Sequence, residues 1–188
     1  MVECMTDVVV LSDPLGNPIG TALKATVHTT DTPLHLAFSC YVFNTQGQLL
    51  ITRRALGKKT WPGVWTNSAC GHLAPKESAR EAVLRWVPHE LGVSRVEDLC
   101  VGIADFEYKA TDSSGVVEWE ICPVFMALCE EEINPEKSEV DSFSWVHPAQ
   151  LFDAVDATPF VFSPWMVKQL RDENFRAKLR DFATKHCR

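Results

Sequence analysis

The glycine-bracketed stretch from Gly71 to Gly92 restricts the fold of this chain more than any other feature. Within it, Ser78-Ala79-Arg80-Glu81 has the form of a capping box, in which serine and glutamate side chains each satisfy an orphaned backbone N–H. Ala79, Ala82, Val83, Trp86, Val87 and Leu91 then recur at the spacing of one helix face. A helix is therefore predicted to start there, with an apolar side that needs another layer to lie against. Immediately before it, Thr66-Asn67-Ser68-Ala69-Cys70-Gly71-His72 sets a thiol and an imidazole beside a glycine, and Glu77, Arg85 and Glu90 follow. Taken alone, this stretch is equally well read as an ordinary amphipathic helix with a Glu81–Arg85 pair four residues apart.

Around that helix the chain reads mostly as strand. Val8–Leu11 is a first strand, closed by the turn signal Asp13-Pro14-Leu15-Gly16-Asn17. His35–Phe43 is a second, turned back by Asn44-Thr45-Gln46-Gly47 into Leu49-Leu50-Ile51-Thr52 as a hairpin. Trp61-Pro62-Gly63-Val64-Trp65 is a rigid aromatic turn that delivers the Cys-Gly-His segment. Further strand-like runs cover Leu99–Tyr108, Val116–Leu128 and Phe143–Val146. Ser163-Pro164 marks a helix start, and a charged amphipathic helix closes the chain. Strands and helices do not alternate regularly, so the expected class is α+β rather than a doubly wound parallel sheet. With 188 residues, 46% of them hydrophobic, and no linker-like tract, one domain over residues 1–188 is expected.

The net charge of −7 leaves no basic face to neutralise phosphates, which argues against a nucleic-acid partner. The seven cysteines are odd in number and scattered, with no C-x-x-C pair, so reduced thiols in a cytoplasm are expected rather than a disulfide framework. Apolar runs such as Val8-Val9-Val10-Leu11 are too short to span a bilayer, and Glu3 and Asp7 replace the basic start of a leader. Seen from the residues, three histidines (His28, His35, His72) and several acids suggest a divalent metal. Glu118 and Glu120 sit two apart, so on a strand they face the same side, as joint ligation requires.

The loop and helix from Gly71 to Val93 resemble the Nudix box, keeping its glycines, Glu77, Arg85 and Glu90. Two of the box's acids are replaced here by Trp86 and His89, so a hydrolytic Mg2+ cluster lacks its full set. A wider resemblance comes from Thr66–His72 together with Arg53-Arg54, Lys58-Lys59, Trp61–Trp65 and Glu118/Glu120. Tyr108-Lys109-Ala110-Thr111-Asp112 and Phe162-Ser163-Pro164-Trp165 complete it. These motifs, in this order, resemble the bacterial type I isopentenyl-diphosphate delta-isomerases over nearly the whole chain. The resemblance implies a Nudix-like mixed β-sheet core flanked by helices, with a C-terminal helix.

It also implies interconversion of isopentenyl and dimethylallyl diphosphate in isoprenoid biosynthesis. Such chemistry protonates an unactivated alkene and removes a proton from the neighbouring carbon, so it needs a donor, a base and exclusion of water. By the resemblance Glu120 with Tyr108 protonates, Cys70 removes the proton, and the Trp165 ring faces the cationic intermediate. From the residues themselves, which of Cys70 and Glu120 protonates is left open. Lys24, Arg54 and Lys58 match cations that bind the diphosphate. His28, His35, His72, Glu118 and Glu120 match the ligands of one divalent ion, for which Mn2+, Mg2+ and Zn2+ all suit. Glu90 with the Cys70 backbone matches a second site, for Mg2+. The implied partner is a small isoprenoid diphosphate, with no nucleic acid or membrane, and the implied state is a monomer or weak homodimer.

The chain departs from its relatives at Trp86, where an arginine helps hold the diphosphate, and at Leu73, where a proline is common. Pro88 adds a helix-interior proline, costing about 3 kcal/mol unless the helix kinks. Two other readings stand beside the isomerase. One is a Nudix-type diphosphate hydrolase, marked by release of phosphate or nucleoside monophosphate. The other is a non-catalytic isoprenoid-diphosphate-binding protein, marked by binding without isomerisation.

Overall fold

A computed structural model describes residues 8–187, so Glu3 and Asp7, on which the reading of the N-terminus turns, lie outside the described residues, as does Cys4, one of the seven cysteines. The chain runs β1 (Val8–Ser12), β2 (Pro18–Leu23), α1 (Lys24–Val27), β3 (His35–Phe43) and β4 (Leu49–Arg54). Next come β5 (Trp65–Thr66), β6 (Ala69–His72), α2 (Ala79–Leu91), β7 (Glu97–Ile103), β8 (Glu107–Thr111) and β9 (Val117–Ile121). It closes with β10 (Val124–Leu128), β11 (Val140–Val146), α3 (Pro148–Ala157), α4 (Pro164–Leu170) and α5 (Glu173–His186).

Strand β3 organises the sheet. It pairs antiparallel with β1, β4 and β6, and parallel with β9 and β10. Its residues alternate between the two faces of the sheet, as strand geometry requires. Ala37, Tyr41 and Phe43 join a core completed by Trp165, Met166, Leu170, Phe175 and Leu179 of α4 and α5. Phe38, Cys40 and Val42 join another, filled by Ala82, Val83, Val87 and Leu91 of α2. A mixed sheet thus lies between α2 and the C-terminal helices, the α+β class expected.

Helix α2 begins as its sequence dictates, with Ser78 and Glu81 forming the reciprocal capping box. The Glu81 carboxylate is spent on that cap, so Arg85 pairs instead with Glu77, at 2.6 and 2.7 Å. This corrects the expected Glu81–Arg85 pair. Pro88 falls in the last turn, where one missing N–H does not break the helix, and Gly92 ends it at φ +66°. A side chain at Gly92 would meet the Asn134 carbonyl oxygen at 2.0 Å, so only glycine fits.

Two long strand-like runs are each divided. Leu99–Tyr108 becomes β7 and the start of β8, and Val116–Leu128 breaks into β9 and β10 at Pro123. Proline has no N–H for the ladder, yet its carbonyl still accepts from the Ser39 N–H at 3.1 Å. The segments β2, α1 and α3 are structured beyond the sequence-based expectation. No helix among the described residues is long and apolar enough to cross a membrane.

Candidate active site

Register delivers the functional side chains to one place. His35 on β3 stands opposite Glu120 on β9, and Tyr108 on β8 is paired with Glu120 on its other side. Ala37, one step along the same face of β3, is opposite His72, and Ser39 is opposite Cys70. His28 arrives from the residue that ends α1.

The three imidazoles form a cluster, with ring centroids 5.1–5.5 Å apart. One nitrogen from each lies within 4.8 Å of the others. His28 Nε2, His35 Nε2 and His72 Nδ1 are buried without a hydrogen-bond partner. Buried imidazole nitrogens without a hydrogen bond are costly unless something satisfies them, and a divalent cation does so. The residues therefore fit a metal. Burial, then the neighbouring imidazoles, brings His28 down to about 4 and so keeps it a neutral, ligand-competent ring.

Glu120 serves two sides. Its Oε1 lies 3.4 Å from His35 Nε2 and 3.3 Å from His72 Nε2. Its Oε2 accepts from the Tyr108 hydroxyl at 2.9 Å. Burial pushes this carboxyl up, but the two imidazoles prevail and hold it well below the usual carboxylate range. The same Tyr108 hydroxyl reaches Glu118 Oε2 at 2.9 Å, so one proton bridges two carboxylates. Glu118 turns its other oxygen to the Thr60 hydroxyl at 2.5 Å, and burial with the charge on Glu120 raises it. Among the expected ligands, the histidines and Glu120 converge, while Glu118 is held one step away by Thr60 and Tyr108.

Cys70 is half-buried beside this group. Its thiol donates to Asn67 Oδ1 at 3.3 Å and lies 3.5 Å from Ser39 Oγ. Burial pushes it up to about 12, so it is a thiol near neutrality. Trp165 donates its indole N–H to the same Asn67 oxygen at 3.0 Å, and its ring sits 5.7 Å from that of Tyr108.

Lys24, Arg54 and Lys58 line the cavity shared by Cys70, Tyr108 and Trp165. Arg54 donates to the Thr60 carbonyl at 3.1 and 2.9 Å, and its guanidinium lies 5.4 Å from the Trp165 ring. Lys58 is ion-paired with Glu139. Glu90 is buried, and burial followed by the charge on Glu139 raises it to about 7. Arg53 pairs with Asp141 at 3.2 Å, and His186 with Asp98 at 2.8 Å. His147 caps α3.

Sequence reasoning missed the supporting residues Ser39, Thr60, Glu139 and Gln169, and left Asn67 without a role inside its motif. Asn67 is fully buried; its Nδ2 donates to the carbonyls of Cys40 and Ala69 at 3.1 and 2.9 Å, which fixes Oδ1 as the acceptor facing Cys70 and Trp165. Gln169 bonds Ser39 Oγ at 3.0 Å and accepts from Tyr41 at 2.8 Å, so the oxygen beside Cys70 is held from the core. An asparagine in a short polar run was the one available signal; the others come from separate elements, Ser39 from β3, Thr60 from the loop after β4, Glu139 from the turn before β11 and Gln169 from α4, and leave none.

Residues 33–166 match the NUDIX domain family. An isopentenyl-diphosphate Delta-isomerase of Corynebacterium diphtheriae is 61% identical over 178 residues, covering 92% of this chain and 96% of that protein. An isopentenyl-diphosphate Delta-isomerase of Clavibacter michiganensis is 58% identical over 165 residues, covering 88% of this chain and 84% of that protein. Among solved structures, DR0079 from Deinococcus radiodurans is similar with a TM-score of 0.67 at 16% identity, over 87% of this chain and 97% of that one, a likeness of fold.

Proposed function

This chain belongs to the isopentenyl-diphosphate delta-isomerases, built on a NUDIX domain, and we propose that it works through Cys70 and the Glu120–Tyr108 pair as opposed proton-transfer groups. It is an isomerase that interconverts isopentenyl and dimethylallyl diphosphate. It uses a divalent metal, as its family and its histidine cluster imply.

The observation that carries the assignment is the shared cavity of Cys70, Tyr108, Glu120 and Trp165. Shifting the double bond adds a proton to the terminal alkene carbon and takes one from the carbon on the other side of the resulting tertiary cation. The substrate's composition is unchanged because one proton is added and a different one removed, the alkene electron pair shifting between them, so donor and acceptor must both be present. Glu120 with Tyr108 supplies one of these groups and Cys70 the other. In the chain by itself the thiol is protonated and Glu120 is ionised. Donation from the Glu120–Tyr108 side therefore needs a proton passed from the Cys70 thiol to Glu120 before the substrate reacts; the turnover then leaves thiol and carboxylate again, and the same transfer resets the pair. Trp165 presents its ring to the cation, and its place in the buried wall helps exclude water.

Lys24, Arg54 and Lys58 bind the diphosphate in this reading. His28, His35, His72 and Glu120, with Glu118 beside them, would hold one divalent ion, Mn2+, Mg2+ or Zn2+. Glu90 with the Cys70 backbone would hold a Mg2+ ion. When bound, such ions supply positive charge that organises carboxylates and neutralises diphosphate oxygens. The net charge of −7 argues against a nucleic-acid partner and does not exclude a small anionic substrate held by a few local cations. We read residues 1–188 as one domain acting in the cytoplasm as a monomer or weak homodimer.

The test is incubation with isopentenyl diphosphate and Mg2+ in deuterated water, followed by NMR. Deuterium should appear in dimethylallyl diphosphate, and Cys70→Ala should nearly abolish that label while leaving the metal content intact. Near wild-type turnover by Cys70→Ala would remove the proposed role of the thiol.

A further inference from the structure

Trp86 sits on the face of α2 that looks into the cavity, where it meets three elements at once. Its indole N–H donates to Glu90 Oε2 at 2.8 Å, one turn along the helix. The Lys24 ammonium lies 4.9 Å from its ring centroid, within reach of a cation–π contact. Its Cδ1 rests against Gly71, where an added Cβ would come within 2.9 Å. Lys24, Gly71 and Trp86 all line the cavity.

An indole has one polar edge and two electron-rich faces, and here both kinds of surface are used. The edge meets a buried carboxylate, and a face meets a cation from a different element. Neither contact is available to a shorter aliphatic side chain, and phenylalanine offers only the face. We propose that Trp86 is a positioning residue for diphosphate binding: its N–H sets the Glu90 carboxylate and its ring sets the Lys24 ammonium on the cavity wall. The role rests on the reading that Glu90 holds a divalent ion and Lys24 contacts the diphosphate. It makes Trp86 an active part of the anion site rather than the mere loss of a cation.

Separate substitutions divide the two contacts. Trp86→Phe removes the N–H and keeps the face; Trp86→Leu removes both. Each variant, checked for folding by circular dichroism, is titrated with Mn2+ and, free of metal, with inorganic pyrophosphate. Glu90→Gln identifies which bound Mn2+ depends on residue 90. Trp86→Phe should weaken that Mn2+ about tenfold and leave metal-free pyrophosphate binding within about twofold. Trp86→Leu should weaken both, pyrophosphate by about fivefold, and raise KM for isopentenyl diphosphate with kcat little changed. Wild-type affinities for both probes in a folded Trp86→Leu protein would overturn the positioning role. A wild-type chain that fails to isomerise would overturn the functional reading, while the two titrations would still decide the role of Trp86.

Discussion

Replacing Asn67 by alanine should separate what the site's frame contributes from what its reacting groups contribute. The side chain makes five contacts: two donated to the Cys40 and Ala69 carbonyls, and three accepted from Thr66, Cys70 and Trp165. Their losses are unequal. Thr66 keeps Ser163 at 2.8 Å and Cys70 keeps Ser39 at 3.5 Å, but the Trp165 N–H is left stranded in the core. A stranded buried donor costs about 1–3 kcal/mol, and the vacated volume adds to it. A total of about 2–4 kcal/mol corresponds to a fall in Tm of roughly 4–16 °C for a chain of this size. Freed from its anchor, the Trp165 ring should also lower kcat/KM by about tenfold or more.

Asn67→Asp tests the same reasoning by pH. It keeps the acceptor but turns its second oxygen on two carbonyl oxygens, so the folded state favours the protonated acid. Its folded pKa is then raised above the unfolded value of about 3.9, and stability present below that value is lost as pH rises through the folded pKa. Denaturant melts should therefore show a deficit against wild type that grows as pH rises above about 4 and levels off above the folded pKa, while the alanine deficit stays flat. An alanine variant within about 1 kcal/mol of wild type, or an aspartate deficit indifferent to pH, would refute the anchoring argument.

Other outcomes follow from particular contacts. His28→Ala, His35→Ala and His72→Ala should each reduce bound metal in elemental analysis, and full occupancy in all three would remove the histidine site. Gly71→Ala would bring a methyl within 2.9 Å of both Phe38 and Trp86, so it should destabilise by about 1–3 kcal/mol; an unchanged melting curve would mean that these rings yield freely. Glu77 is held below the usual carboxylate range, chiefly by Arg85. The stability it contributes is present above its unfolded pKa and lost as pH falls through the folded one, so Glu77→Gln should cost stability at neutral pH and little in acid. A deficit of equal size in acid would show that the ion pair is not its source.

The parts of this molecule legible in its sequence are those decided locally. Ser78 and Glu81 announce the start of α2 because the cap needs only neighbours, and Asn44–Gly47 announces the β3–β4 hairpin for the same reason. Strand β2 was illegible because it is almost wholly exposed and is held through the backbone of β1, so no apolar alternation marks it. Arg85 was assigned the wrong partner because two glutamates lay within reach and only the cap decided between them. That His28, His35 and His72 suggest a metal was readable from the residues, but their assignment as ligands of one ion came through resemblance; periodicity could not have joined residues brought together from the end of α1, β3 and β6. Trp86 was read as something missing, because spacing alone does not reveal an indole edge turned on Glu90.

The two oxygens of Glu120 look in different directions, one to His35 and His72 and the other to Tyr108. A carboxylate divided in this way cannot be adjusted on one side alone. Whatever draws electrons from the histidine side weakens its hold on the tyrosine proton, and whatever relaxes that side strengthens it. In the proposed function, where Glu120 both helps hold the ion and shares the proton of Tyr108, metal preference and acid strength would therefore be one inherited trait. A lineage that moves to a cell with a different supply of ions would have to retune both together, with Tyr108 as the nearest place to compensate.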